Sequence, residues 1–210
     1  MIRIFIADNQ VVVREGIKRI VGDVADMLVV GEAQIDSDLS TQIATAATDL
    51  VILDTSTSGG DGLEMLQDLK QTRAWLPVLV FSGHLELHYA MRAFKSGAKG
   101  YLTKDCLPEE LVGAIRKVAQ GGCYASSALA EHLILSMAQE AEQPLYARLS
   151  NREYQVLCML ASGKTVSAIG VELALSVKTI STYRSRLLEK LQMRTTAELI
   201  HYAIQHRLVE

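Results

Sequence analysis

Proline, cysteine and aromatic residues are all scarce in this sequence: its 210 residues include three prolines, three cysteines and 5% aromatics. Few prolines and a hydrophobic content of 49% exclude a disordered or low-complexity chain. The cysteines Cys106, Cys123 and Cys158 are odd in number and contain no Cys-x-x-Cys pair. They indicate neither a disulfide framework nor a zinc site, so we expect buried thiols.

Long apolar runs are also lacking. No stretch approaches the roughly 18 apolar residues that a membrane-spanning helix needs. The opening apolar run reaches Asp8 too soon for a signal peptide. We therefore expect a cytoplasmic protein without a membrane partner.

The formal net charge of −3 conceals an asymmetry along the chain. Residues 1–147 carry 12 Lys+Arg and 19 Asp+Glu, whereas residues 148–210 carry 9 and 5. A small basic segment is typical of proteins that contact the phosphate backbone of nucleic acids, although ordinary scatter of charge gives the same balance. The positions of individual residues must decide between these interpretations.

Residues 1–122 alternate between short apolar runs and segments with helical spacing. The predicted strands are 2–7, 27–30, 50–53, 78–81 and 100–102, and the predicted helices lie near 13–21, 36–47, 61–72, 86–96 and 108–120. Five such repeats predict an α/β fold, a parallel sheet covered by helices on both faces. Function then belongs at the carboxyl ends of the strands.

Polar side chains stand at those strand ends. Asp8 and Asn9 follow the first strand, Asp54 the third, Ser82 the fourth and Lys104 the fifth. Carboxylates that converge on one crevice suit Mg²⁺, which prefers carboxylates, waters and phosphate oxygens. Lys104 would neutralise an added phosphoryl group, and Ser82 could donate a hydrogen bond to it. Any one of these residues alone could simply terminate a strand.

With these residues in place, segment 1–122 resembles a response-regulator receiver domain of flavodoxin-like (βα)₅ architecture. The matching motifs are Ile-Phe-Ile-Ala-Asp-Asn, Val-Ile-Leu-Asp-Thr-Ser, Gly-Gly-Asp-Gly, Val-Leu-Val-Phe-Ser-Gly and Gly-Ala-Lys-Gly-Tyr-Leu-Thr-Lys. The resemblance implies that Asp54 accepts a phosphoryl group from a sensor histidine kinase. A carboxylate can act as this nucleophile when cations offset the charge on the transferring group.

The same resemblance implies a role for each neighbouring residue. Asp8 and Asp54 would hold Mg²⁺ with the backbone carbonyl of Ser56, and Asn9 could add its side-chain carbonyl. Lys104 and Ser82 would bind phosphoryl oxygens. Tyr101 would be the aromatic residue that turns inward when Ser82 moves.

Two departures from the family pattern affect the metal and the loop. The family usually has a second acidic residue where this chain has Asn9, so we expect weaker binding of Mg²⁺. It also usually has Met-Pro where this chain has Thr57-Ser58, so the fixed φ of proline is lost from this loop.

Residues 123–147 are predicted to connect two domains. Ser126 or Ser127 can cap a helix with an apolar stripe, and Pro144 ends the polar tether that follows it. The stripe would pack on one of the two domains or form a dimer seam.

Residues 148–210 are predicted to form four short helices. The residues that begin them, Ser150, Thr165, Ser176 and Thr195, can all accept hydrogen bonds as N-caps, and Glu153 and Glu198 complete capping boxes. A turn of a few residues joins the middle two helices, which is typical of a helix-turn-helix domain.

The third of these helices, predicted over 177–192, has small hydroxyl and basic residues opposite its apolar face. Such a face fits a major groove, although a solvated face on an ordinary bundle helix is the alternative. The predicted DNA contacts are Lys178, Thr179, Ser181, Thr182, Tyr183, Arg184, Ser185, Arg186 and Lys190.

Residues 148–210 resemble the LuxR-type helix-turn-helix through Leu-Ser-x-Arg-Glu, Leu-Ser-x-Lys-Thr-Ile and Lys-Leu. A receiver followed by this domain is the organisation of NarL/FixJ-family response regulators. The resemblance implies DNA with paired half-sites as the ligand. It also implies a homodimer formed through the receiver surface and through Leu199, Ile200 and Ala203.

We therefore predict a DNA-binding transcriptional response regulator that phosphorylation of Asp54 switches. An alternative keeps DNA binding but limits the receiver to dimerisation or protein docking. Asn9 and the missing Met-Pro would then indicate a receiver that does not act as a switch. A phosphohydrolase would need a second acid near Asp54, where the chain has Ser56, so we do not expect an enzyme.

Overall fold

The computed structural model describes residues 1–36, 38–55, 62–83, 87–127, 129–131, 144–206 and 208–209. Described residues up to 131 belong to one compact unit, and those from 144 onward belong to a second. None of the described helices is both long enough and apolar enough to cross a membrane.

The first unit is a parallel five-stranded sheet with strand order β2-β1-β3-β4-β5, which confirms the predicted α/β fold. Its elements in chain order are β1 (Ile2–Ala7), α1 (Val11–Gly22), β2 (Met27–Ala33), α2 (Leu39–Thr45), β3 (Leu50–Leu53), α3 (Gly62–Thr72), β4 (Val78–Ser82), α4 (Leu87–Lys95), β5 (Gly100–Thr103) and α5 (Pro108–Ala119).

Both faces of this sheet are buried, which is why its strands are almost continuously apolar. Along β1, Ile4 and Ile6 pack in one hydrophobic cluster, whereas Phe5 and Ala7 pack in another on the opposite face. This alternation is the twofold period of a strand. The carboxyl ends of β1 and β3 are adjacent because these strands pair directly.

The strand β2 extends three residues beyond its predicted end at 30 and closes at Ala33. After an irregularity in the register, Gly31 and Glu32 pair with Phe5 and Ile6 of β1. The polar Glu32 is accommodated because β2 lies at the edge of the sheet.

The thiols are less buried than predicted. Cys123 is exposed, and Cys106 and Cys158 are only partly buried. Burial still raises the pKa of Cys106 to about 11, and the nearby Glu110 and Asp105 carboxylates add to that shift.

The connector is described only at its two ends. Ser126 acts as the predicted cap, since its Oγ accepts from the amide of Leu129 at 3.3 Å. After Pro144, Leu145–Arg148 forms a 3₁₀ turn rather than an irregular tether, and the Tyr146 amide donates to Tyr202 Oη at 3.3 Å. The remainder of the predicted linker helix lies outside the described residues.

The second unit contains the four predicted helices: α6 (Asn151–Ala161), α7 (Val166–Glu172), α8 (Val177–Lys190) and α9 (Thr196–Gln205). Each predicted cap is present, because each capping side chain accepts a hydrogen bond from a backbone amide; the caps are Ser150, Thr165, Ser176 and Thr195. The helix α8 ends two residues before its predicted end, where Gln192 adopts a left-handed φ of 58°.

Glycine at position 170 allows α7 and α8 to approach closely. A Cβ atom there would lie 2.9 Å from the carbonyl oxygen of Leu175 in the turn. The tight helix-turn-helix angle therefore requires the absence of a side chain at Gly170.

Candidate functional site

Two buried carboxylates and one lysine meet at the carboxyl edge of the sheet in the first unit. The Nζ atom of Lys104 lies 2.8 Å from Oδ2 of Asp8 and 3.0 Å from Oδ2 of Asp54. Asp8 is 1% exposed and Asp54 is 2% exposed. In such surroundings the lysine offsets the mutual repulsion of the carboxylates, which would otherwise be costly.

Sheet hydrogen bonds fix the backbones of these residues. The amide of Asp54 donates to the carbonyl of Ala7 at 2.8 Å, and the amide of Lys104 donates to the carbonyl of Ser82 at 2.9 Å. The carboxyl ends of the neighbouring strands β3, β4 and β5 therefore carry Asp54, Ser82 and Lys104. This group, Asp8, Asp54, Ser82 and Lys104, is called the acidic pocket below.

Ser82 and Tyr101 lie on the neighbouring strands β4 and β5. Ser82 is fully buried at the end of β4, and Tyr101 is 3% exposed within the hydrophobic cluster that also contains Leu66 and Ala93. The Tyr101 ring therefore occupies an inward position in this structure.

The predicted metal ligand Asn9 also accepts a hydrogen bond from a distant part of the chain. Its Oδ1 accepts a hydrogen bond from the amide of Ile35 at 2.8 Å, and the residue itself is exposed. Asn9 thereby joins the end of β1 to the segment after β2 through the oxygen that was predicted to ligate a cation, and that ligation stays a prediction. Ser56, the other predicted carbonyl ligand, lies outside the described residues.

Two residues near the pocket were missed in the sequence. Arg14 is 9% exposed, and its Nη1 donates to the backbone carbonyl of Asp8 at 2.7 Å. The amide of Gln10 donates to Asp8 Oδ1 at 2.7 Å, and Lys104 Nζ donates to Gln10 Oε1 at 3.4 Å. A signal for Arg14 existed, since it lies three residues before the inward Ile17 on α1.

The acidic pocket fits a divalent cation, because two buried carboxylates meet there. Asp8 Oδ2 and Asp54 Oδ2 both lie within 3.0 Å of the single cationic atom of Lys104. Mg²⁺ is commonly held by one or two carboxylates that waters and phosphate oxygens supplement. The described residues provide those two carboxylates.

The helix α8 of the second unit carries the predicted DNA contacts. Ile180 and Leu187 are fully buried, and the opposite side of the helix is polar. The predicted contacts Lys178, Thr182, Ser185, Arg186 and Lys190 are exposed, whereas Thr179, Ser181, Tyr183 and Arg184 are partly buried.

Hydroxyl groups on this face donate to other groups of the same unit. Thr182 Oγ1 donates to the carbonyl of Lys178, and Ser185 Oγ donates to the carbonyl of Ser181, both at 3.0 Å. Their oxygen lone pairs can still accept from base amino groups. The face therefore presents mainly acceptors between its basic residues.

Lys190 forms an ion pair within its own domain. Its Nζ lies 2.7 Å from Oε2 of Glu153, a residue that is 3% exposed. Burial alone would raise the pKa of Glu153, but hydrogen bonds from Lys190 and Ser150 outweigh it and hold that pKa below its ordinary value. The ammonium group has three N–H donors and the residue is exposed, so a contact between Lys190 and DNA stays a prediction.

The predicted dimer residues on α9 need correction. The side chains of Leu199 and Ala203 are fully buried, and Ile200 is partly buried. Leu199 and Ala203 therefore belong to the core and offer no surface to a partner. The exposed large apolar residue of α9 is Ile204, at 56% exposure.

Two family models match this chain. The model of the response regulator receiver domain matches residues 4–116, and that of bacterial regulatory proteins of the luxR family matches residues 147–203. The response regulator UvrY of Escherichia coli K12 is 36% identical over 209 residues, which cover 99% of this chain and 96% of UvrY. The response regulator GacA of Pseudomonas aeruginosa is 34% identical over 212 residues, which cover 100% and 99%.

A solved structure shares the fold. RcsB from Salmonella enterica serovar Typhimurium, bound to the P1flhDC promoter in the presence of the phosphomimetic BeF₃⁻, matches with a TM-score of 0.66 and 24% identity. The match covers 96% of this chain and 97% of RcsB.

Proposed function

This chain belongs to the NarL/FixJ family of response regulators and is a DNA-binding transcription regulator, and we propose that a sensor histidine kinase switches it by phosphorylating Asp54. The observation that carries the proposal is the acidic pocket, in which Lys104 contacts both Asp8 and Asp54. Because its ligand is DNA, we expect the protein in the cytoplasm.

In the proposed reaction, a carboxylate oxygen of Asp54 forms a bond to phosphorus while the P–N bond of the kinase phosphohistidine breaks. The imidazole nitrogen keeps the electron pair of that bond. Lys104 Nζ already lies beside Asp54, where it can stabilise the negative charge on the transferring group. Arg14 holds the backbone of Asp8 and so keeps the neighbouring carboxylate in place.

Mg²⁺ would supply further charge neutralisation at this site. We propose Asp8 and Asp54 as its carboxylate ligands and the carbonyl of Ser56 as a third. Asn9 carries no charge, and its oxygen accepts from Ile35, so it would contribute little to binding. The proposal therefore includes weaker affinity for Mg²⁺ than a pocket with three carboxylates would have.

The response to phosphorylation would pass through Ser82. Its hydroxyl stands at the end of β4, next to the strand that carries Tyr101 and Lys104. Movement of Ser82 towards a phosphoryl oxygen would change the space available to the Tyr101 ring. A local change in charge would in this way bias the packing of the surrounding helices.

For DNA binding, we propose that α8 enters the major groove of paired half-sites as part of a homodimer. Lys178 and Arg186 are exposed and basic, as contacts to phosphates require. RcsB has been solved as dimers bound to DNA, which supports this arrangement. The α9 contribution to the dimer would come from its exposed residues and not from Leu199 or Ala203.

A second candidate function keeps the DNA binding without the phosphorylation. The observation in its favour is that Asn9 adds no charge beside Asp8 and that its Oδ1 accepts from the amide of Ile35. The receiver would then serve only as a dimerisation or docking module.

One measurement separates the two candidates. The full-length protein is incubated with acetyl phosphate and Mg²⁺ and weighed by intact-mass spectrometry. The switch hypothesis expects one added phosphoryl group that hydroxylamine removes, and no addition to Asp54→Asn. Absence of the added mass from both proteins would leave the phosphorylation-independent function.

A further inference from the structure

A tyrosine on α4 contacts the backbone directly beside the proposed phosphoacceptor. The hydroxyl of Tyr89 donates to the carbonyl oxygen of Thr55 at 2.7 Å. Thr55 follows Asp54 immediately, and 34 residues separate it from Tyr89 in the chain. The contact therefore joins α4 to the end of β3.

Thr55 is also confined from the side of α3. A Cβ atom on Gly62 would lie 2.4 Å from Thr55 Cα, so the two backbones are as close as glycine permits. Thr55 itself is 4% exposed. Thr55, the residue after Asp54, is thus held between the start of α3 and the hydroxyl of Tyr89.

Holding the Thr55 carbonyl restricts more than one atom. A peptide unit is planar, so a fixed carbonyl fixes the plane in which the chain leaves Thr55 towards the following loop. The sequence of that loop contains no proline to restrict it. The peptide that follows Thr55 must therefore be restrained by contacts, and the hydrogen bond from Tyr89 is one such contact.

We propose that Tyr89 is a positioning residue for phosphoryl transfer at Asp54. By anchoring the Thr55 carbonyl, its hydroxyl holds the backbone beside the acceptor in the orientation that the phosphorylated site needs. The inference rests on the proposed phosphorylation of Asp54 and adds a residue that no motif identifies.

The direct test is Tyr89→Phe, which removes one oxygen and keeps the ring. A neutral hydrogen bond contributes about 1 kcal/mol, so we expect phosphorylation by acetyl phosphate at subsaturating Mg²⁺ to be slower by about fivefold. Beryllofluoride should bind more weakly by a similar factor, because it forms the same complex without the transfer step. Both are measured on the full-length protein.

Tyr124→Phe is the matched control. Tyr124 is partly buried in the same unit, but its backbone pairs with Lys99 and Tyr101 near the amino end of β5, away from the acidic pocket. Loss of the Tyr124 hydroxyl should leave both the rate of phosphorylation and the affinity for beryllofluoride unchanged. Melting curves of all three proteins fix a temperature at which each is fully folded, and the rates are compared there.

A conservative replacement provides rescue. Incorporation of 3-fluorotyrosine at position 89 retains the hydroxyl and should restore the wild-type rate and affinity. Equal beryllofluoride affinities for wild type and Tyr89→Phe would overturn the inference while leaving the phosphorylation of Asp54 intact. If the wild type takes up no phosphoryl group, the proposed switch and the inference both fail.

Discussion

The ammonium group of Lys190 lies 2.7 Å from the carboxylate of Glu153 and joins the end of α8 to the start of α6. Glu153 also completes the capping box of α6, because its Oε2 accepts from the amide of Ser150 at 2.8 Å. One buried carboxylate thus organises two helices of the DNA-binding domain. A residue that the helical pattern assigns to DNA thus also links two helices of its own domain.

We therefore expect replacement of Lys190 to lower the stability of the domain. Lys190→Ala leaves a buried carboxylate with fewer partners, and we expect the free energy of unfolding to fall by about 1–2 kcal/mol. Lys178→Ala, on the exposed face of the same helix, is the control and should change it by less than about 0.5 kcal/mol. Urea denaturation of the two variants checks the difference, and equal midpoints would contradict it.

The pH dependence of stability follows from the lowered pKa of Glu153. A carboxyl group whose pKa is lower in the folded state binds protons more readily when unfolded, so it stabilises the fold above its ordinary pKa of 4.5. That contribution disappears as the pH falls through the lower pKa of the folded state. Glu153→Gln should flatten the loss of stability below about pH 4.5 in acid titrations followed by circular dichroism. An unchanged acid transition would show that the pair contributes nothing.

Salt dependence should separate phosphate contacts from base contacts on α8. Lys178→Ala and Arg186→Ala each remove one exposed positive charge, so the slope of log K against log salt should become shallower by about one per residue. Ser181→Ala should keep the slope and relax the base preference. Binding to DNA selected from a random pool, at several salt concentrations, measures both. An unchanged slope in a variant that combines Lys178→Ala with Arg186→Ala would refute these contacts.

Restoring the missing carboxylate should strengthen metal binding. In Asn9→Asp, the new side chain can still accept from Ile35, and it adds a negative charge beside Asp8. We expect the Mg²⁺ concentration that gives half-maximal phosphorylation to fall about tenfold, which corresponds to about 1.4 kcal/mol. Asn9→Ser, which is neutral, should not lower it. Equal Mg²⁺ dependence in all three proteins would mean that position 9 does not influence the cation.

Replacement by alanine should change the melting temperature in opposite directions at two glycines. Ala stabilises a helix by up to about 1 kcal/mol relative to Gly, and Gly113 on α5 has open space around its missing side chain. Gly113→Ala should therefore raise the melting temperature. Gly170→Ala should lower it, because the new Cβ would lie 2.9 Å from the Leu175 carbonyl. Shifts in the same direction would exclude the close packing of α7 and α8.

Local patterns predicted much of both units. The βα repeats gave the parallel sheet, and four capping residues marked the helix starts from Ser150 to Thr195, because a cap depends only on neighbours along the chain. Such patterns do not show which distant residues a side chain contacts. Lys190 fits a phosphate as well as a carboxylate, and only packing brings Glu153 within reach.

The sequence alone determined which residues end the strands, which residues cap the helices and which face of α8 is polar, since these properties follow from composition and periodicity over a few residues. Only the tertiary structure decided that Asn9 bonds to Ile35, that Leu199 and Ala203 lie in the core, and that Tyr89 reaches Thr55. Those relationships depend on elements distant in the chain, and their geometry is set by packing that no local pattern records.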